Sequence, residues 1–298
     1  MMRNGPHGLL LPYGEELTMK LLRIGEPGHE IPAILGPDGS ARDLSSVIRD
    51  FDAAALSPAG LDRLRYIDPA TLPLALAGRI GPCVPRPVNF VCIGLNYADH
   101  AAETGAAIPK EPIVFLKSLS AFQGPNDTVR IPRGSVKTDW EVELGIVIGT
   151  TASYVPENAA MDHVAGYCVV NDVSERAFQS ERGGTWDKGK GCDTFGPTGP
   201  WLVTQDEVPD PQALDLFLDV DGRRMQTGNT STMIFNVRML VSYVSHFMTL
   251  HAGDIISTGT PPGVGLGMKP PVYLQAGQTM RLGIAGLGEQ VQRVVGAG

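Results

Sequence analysis

The segment TDWEVELGIVIG, residues 138–149, sets Glu141 and Glu143 into an otherwise apolar run. Alternate residues of a strand point to the same side. Glu141 and Glu143 therefore share one face, while Val142 and Leu144 pack on the other. By itself such a face reads as a solvated one. Asp172 changes the reading, because it stands where the apolar run YCVVND ends, and strand ends are common places for functional side chains. Three converging carboxylates repel one another and raise each other's pKa. A hard divalent ion, magnesium or manganese, removes that cost, with waters or a chelating substrate completing an octahedron.

A second cluster lies in GLNYADHAAE, where His100 and Glu103 are three residues apart and so share a helix face. A carboxylate beside an imidazole fixes its orientation and stabilises its cationic form, as a general base requires; the plainer alternative is a partly exposed helix residue. The third cluster is WDKGKGCDTFGP. Gly184 to Lys190 spell G-x-x-x-x-G-K, the spacing of a phosphate loop. Gly191 stands where a Ser or Thr would hold magnesium, and no apolar strand precedes, so nucleotide binding is rejected. Lys190 is then either a solvated surface lysine or a cation in a glycine-flanked loop, aimed at a bound anion.

Short elements must carry these residues. The 36 glycines and 24 prolines favour strands and turns over long helices. Strands are expected in KLLRIG, IPAILG, VNFVCIGLN (ending at Gly94), EPIVFLK and AGYCVVNDV, and a strand running into a rigid loop in GDIISTGTPPGVG. Ser57 and Pro58 open a helix in SPAGLDRLRYI, Gly105 stops one in YADHAAETG, and Pro156 opens another in PENAAMDHV. One long amphipathic helix is expected over 232–250, with Met233, Val237, Leu240, Val241, Val244 and Met248 on its apolar face. Residues 1–18 read as an N-terminal extension, 19–85 as a small N-terminal domain ending in the linker PCVPRP, and 86–298 as the main domain.

With 43% hydrophobic and 19% charged residues, the chain has an ordinary globular composition. A net charge of −8 without a basic cluster argues against nucleic acid, and an anionic substrate must be met by local cations. Cys83, Cys92, Cys168 and Cys192 form no CxxC pair and suit unpaired thiols of a reducing compartment. Nothing approaches a membrane span or a signal segment, so a cytoplasmic protein is expected.

In this order, GLNYADHAAE, DWEVELG, NDVSERAFQ, KGKGCDTFGPTGPW and GDIISTGTPPGVGLG resemble the fumarylacetoacetate hydrolase family. Within it they are similar to the bacterial acylpyruvase-like and 2,4-diketo-3-deoxy-sugar-acid hydrolase members. The resemblance implies a β-rich α+β fold, a mixed β-roll with a small N-terminal α/β domain, assembled as a homodimer. It implies magnesium or manganese held by Glu141, Glu143 and Asp172. His100 and Glu103 become the base dyad on a lid segment, and Lys190 the active-site lysine. Arg176 and Gln179 match substrate contacts, and Thr260 matches the residue that binds the substrate carboxylate. The activity implied is hydrolysis of a C–C bond in a 2,4-diketo acid, an acylpyruvate or a diketo sugar acid, to pyruvate and a carboxylic acid. Oxaloacetate decarboxylation, 2-oxo-acid isomerisation and ureidoglycolate cleavage are the alternatives. The segments KPPVYL and GLGEQVQRVV lean toward the sugar-acid subgroup.

Overall fold

The computed structural model describes residues 19–297, and the expected extension, residues 1–18, lies outside them. Short strands dominate, in three sheets. The largest has ten strands. Its centre is the antiparallel pair Val142–Ile148 and Val164–Asn171. On one side of this pair lie Ile255–Ser257, Phe90–Gly94 and Ile113–Leu116. On the other lie Gly196–Thr204, Lys20–Ile24, Ile31–Leu35 and Ala41–Asp43. The segment 19–85 is thus joined to the rest through the pairing of Lys20 with Val203 and Leu21 with Leu202.

A five-stranded sheet, Arg223–Asn229, Asp215–Val220, Thr279–Ile284, Gly288–Val295 and Val129–Arg130, packs against one face of the central pair. Its Leu216, Leu218, Met280, Leu282 and Val294 share a core with Val142, Leu144, Ile146, Tyr167 and Val169. The opposite face, carrying Val147, Cys168 and Val170, is covered by Leu56, Leu61 and Leu64 from the N-terminal segment. Both faces of Val142–Ile148 are therefore buried. Its acidic residues end up inside the protein, where the solvated-face reading of an alternating strand fails.

The short helices follow their caps. Ser57 accepts from Gly60 N–H ahead of Pro58–Arg65, and Ala98–Thr104 stops at Gly105, whose φ of 69° is left-handed. Residues 157–163 form a 3-10 helix. The expected helix over 232–250 is shorter, Val237–Ser245. Its start is set by Asn236, which accepts from Met239 N–H. Ahead of it, Ile234 and Phe235 lie in a bend and donate their N–H groups to Asn96. Met233 and Met248 thus belong to the flanking chain. Cys83, Cys92 and Cys168 are buried and Cys192 half-buried, all as free thiols. No helix among the described residues is long and apolar enough to cross a membrane.

Candidate active site

The antiparallel pairing of the two central strands is interrupted, and the interruption makes the site. One ladder ends at the pair Asn171–Val142, and a second begins at Ser174–Asp139. Between them the N–H of Asp172 donates to the carbonyl of Glu141 at 2.9 Å. Glu141, Glu143 and Asp172 each bring a carboxylate oxygen to within 4.8 Å of one another, and all three residues are buried. The main chain here is held by amide side chains. Asn171 accepts from Glu141 N–H, and Gln226 accepts from Val142 N–H at 3.0 Å. Glu143 is fixed from the neighbouring strand by the Ser257 hydroxyl at 2.6 Å and the Gly259 N–H at 2.9 Å.

The counter-charges are also buried. Lys190 closes the short helix Asp187–Lys190, and its ammonium lies 2.5 Å from Glu141 and 2.6 Å from Asp172. It was expected in a loop facing a bound anion; here it meets the protein's own carboxylates. Arg176 donates to Asp139 at 2.8 Å, to Glu141 at 2.7 Å and to Gln179 at 3.2 Å. Much of its guanidinium is therefore committed to the protein. Lys117, just past the strand Ile113–Leu116, donates to Asp172 and to the Val173 carbonyl. Sequence reasoning passed over Lys117 because a lysine ending an apolar run reads as solvated. Asp139, two residues before Glu141, is a further acid of the cluster. It is fully buried and accepts from Arg176 and from the N–H groups of Gly265 and Leu266.

Charges inside this cluster are unequally favoured. Burial pushes the Glu141 carboxyl up, but the Arg176 and Lys190 charges outweigh it and hold that group well below the usual range. Burial, joined by the charges of Asp172 and Glu141, pushes Glu143 well above it. For Lys190, burial opposes the charge while Asp172 and Glu141 more than restore it. The trio is a set of hard oxygen donors in which Glu143 forms no ion pair with the cationic side chains among the described residues. A hard divalent ion fits such a donor set.

His100 and Glu103 do share a helix face, with Nδ1 and Oε2 3.3 Å apart. Glu103 is anchored in turn by the N–H of Gly263 at 3.1 Å, which ties the helix to the glycine/proline loop. Thr260 donates its hydroxyl to the Val142 carbonyl at 2.9 Å and accepts from Gln226 at 2.8 Å. Expected as a carboxylate ligand, it spends its only hydroxyl proton inside the protein. His100, Glu141, Glu143, Arg176, Gln179, Lys190 and Thr260 line one cavity of 260 Å³. Glu103 supports it from behind, and Asp172 lies beneath Lys190 and Lys117.

This fold is shared with solved hydrolases and isomerases. The chain matches the model for the C-terminal domain of fumarylacetoacetate hydrolase over residues 89–295. It belongs to the fumarylacetoacetate hydrolase family. A Burkholderia ambifaria protein, provisionally named a hydrolase, is 67% identical over 276 residues, which cover 92% of this chain and 98% of the relative. The structure of the fumarylacetoacetate hydrolase from psychrophilic Exiguobacterium antarcticum is similar with a TM-score of 0.83 and 34% identity, covering 94% of this chain and 100% of that one. The 2-hydroxyhepta-2,4-diene-1,7-dioate isomerase of Mycobacterium marinum has a TM-score of 0.72 and 32% identity, with coverage of 94% and 100%. The maleylpyruvate hydrolase of Sphingobium sp. SYK-6, in complex with manganese(II) and pyruvate, has a TM-score of 0.76 and 29% identity, again with coverage of 94% and 100%.

Proposed function

We propose that the protein hydrolyses a C–C bond in a 2,4-diketo acid, releasing pyruvate and a carboxylic acid, with magnesium or manganese held by Glu141, Glu143 and Asp172. The observation that carries this reading is the convergence of three buried carboxylates within 4.8 Å beneath a cavity that His100 and Lys190 also line. A metal store requires neither an oriented imidazole nor a buried ammonium. The maleylpyruvate hydrolase complex, with manganese and pyruvate together, supports the same reading. When bound, the cation supplies a Lewis acid and a template for the carboxylate and 2-oxo oxygens of the substrate.

The chain's own groups do the rest. A carboxylate against Nδ1 favours the tautomer with its proton there, which leaves Nε2 as the base. His100 takes a proton from water as the water oxygen bonds to C4 of the substrate. The C3–C4 bond then breaks, its electron pair passes to C3, and the acyl part leaves as a carboxylic acid. The proton held by His100 then passes to C3, which completes pyruvate and returns the base. Lys190 and Gln179, which both line the cavity, are the candidates to stabilise a developing oxyanion or to position the attacking water. Arg176 keeps Glu141 and Gln179 in place, which makes it a positioning residue more than a direct ligand of the anion.

Isomerisation of an unsaturated 2-oxo acid is the second reading, favoured by the isomerase among the similar structures. It needs the same cation and a base but no attacking water. Acylpyruvates and oxaloacetate, each incubated with manganese, separate these chemistries. The diketo acid reading predicts loss of diketone absorbance with equimolar pyruvate from acylpyruvates alone. Absorbance change without pyruvate marks isomerisation, and pyruvate from oxaloacetate alone marks decarboxylation.

A further inference from the structure

Besides its charged and polar residues, the cavity is lined by Ile93, Leu95, Phe115, Trp186, Val264 and Leu266. Phe115 links the two sets. The Lys190 ammonium stands 5.1 Å from the centre of its ring, and Trp186 meets the same ring edge-on at 5.3 Å and 61°. Trp186 reaches this position because residue 94 is glycine. A Cβ there would overlap the Cζ3 and Cη2 atoms of the indole, so the requirement is for space. The arginine and the lysine of the lining are both drawn to the site carboxylates. A second carboxylate at the far end of a ligand would therefore meet an apolar wall, and a hydroxylated tail would give up hydrogen bonds to water there.

We infer that the site takes 2-oxo acids whose distal end is an uncharged alkyl or aryl group, and that Trp186, seated on Gly94, selects for it. This inference rests on the 2-oxo acid reading of the acidic centre. It turns away from the sugar-acid tail suggested by the C-terminal sequence, because the hydroxyls that line the cavity, Ser180 and Thr260, already donate to the protein's own carbonyls.

Binding of 2-oxo acids without a 4-oxo group tests it apart from turnover. Pyruvate, 2-oxohexanoate, 4-phenyl-2-oxobutanoate, 2-oxoadipate and a polyhydroxylated 3-deoxy-2-oxo acid are titrated calorimetrically into the full-length, manganese-loaded protein. The dissociation constant should fall roughly fourfold per added methylene, with the phenyl compound at least as tight as the hexanoate. The diacid and the polyol should bind no better than pyruvate. Trp186→Ala should flatten the gradient to less than about twofold per methylene, and Trp186→Phe should keep most of it. Polyol or diacid binding as tight as 2-oxohexanoate overturns the inference, as does an intact gradient in Trp186→Ala. Pyruvate binding with no gradient sinks the apolar pocket alone. If no 2-oxo acid binds, the reading of the acidic centre falls and this inference with it.

Discussion

The N–H of Asp172 donates to the carbonyl of Glu141 in the gap between two antiparallel ladders. Residues directly opposite in such a pair point to the same face. Two carboxylates far apart in the sequence are thus brought side by side by the backbone, before any ion is considered. Glu143, opposite Val170, follows on the same face by strand alternation. The geometry of the centre therefore depends on groups that hold this gap open.

Gln226 is one of them. It is fully buried and uses its whole amide, accepting from Val142 N–H and donating to the Thr260 hydroxyl and the Pro261 carbonyl. Gln226→Leu takes this partner from the Val142 N–H and the Pro261 carbonyl, while the Thr260 hydroxyl keeps its bond to the Val142 carbonyl. At 1 kcal/mol or more per buried unpaired group, the loss is about 2 kcal/mol, read as a lower urea midpoint. Unchanged stability would show that the amide does not hold the segment.

Lys117→Met removes one partner of a buried ion pair with Asp172. Breaking such a pair costs about 3–5 kcal/mol because the remaining charge has lost a partner. Saturating manganese should return part of this stability, since a ligand that binds only the folded state adds to it. Thermal melts with and without manganese check both effects. A melting temperature equal to wild type in metal-free buffer contradicts the assignment.

His100→Ala should lower kcat about 10²–10⁴-fold with a smaller change in KM, because a base acts in the transition state. Glu103→Gln should also lower kcat, by loosening both His100 and the loop at Gly263. A rise in KM alone, with kcat kept, would make the pair a binding element.

Thiol chemistry should be slow. Burial pushes the Cys192 thiol from 9.0 up to about 11, so at pH 8 only about a thousandth of it is thiolate. With the folded value raised above the unfolded one, its contribution to stability is complete below pH 9 and lost as pH rises through about 11. Ellman's reagent at pH 8 should titrate the native protein far more slowly than the urea-unfolded chain. Rapid titration of the native chain would refute the burial argument.

Much of the fold was legible because its signals are local. Ser57 and Pro58 announce one helix start, Gly105 one helix stop, and the apolar runs around Phe90 and Val164 announce strands. The acidic trio and the His100/Glu103 pair were legible from alternation, helix spacing and family resemblance. Charge partners were harder to foresee. Whether Lys190 and Arg176 face a ligand or the protein's own carboxylates depends on which segments meet in three dimensions. Lys117 and Asp139 belong to the same case, since an isolated charged residue at the end of an apolar run looks solvated until its partner is known. The helix boundary at Asn236 was missed for a related reason: the apolar repeat runs on through Met233 and Met248, while caps and strand-like contacts cut it short.

The central claim is that Glu141, Glu143 and Asp172 grip one divalent ion. Calorimetric titration of manganese into the metal-free chain, wild type and Asp172→Asn, tests it most directly. The account predicts one ion per chain, with affinity reduced more than about 100-fold in the variant, beyond the effect of altering an outer partner alone. Equal affinity in the two proteins, or several weak ions bound alike by both, would contradict it.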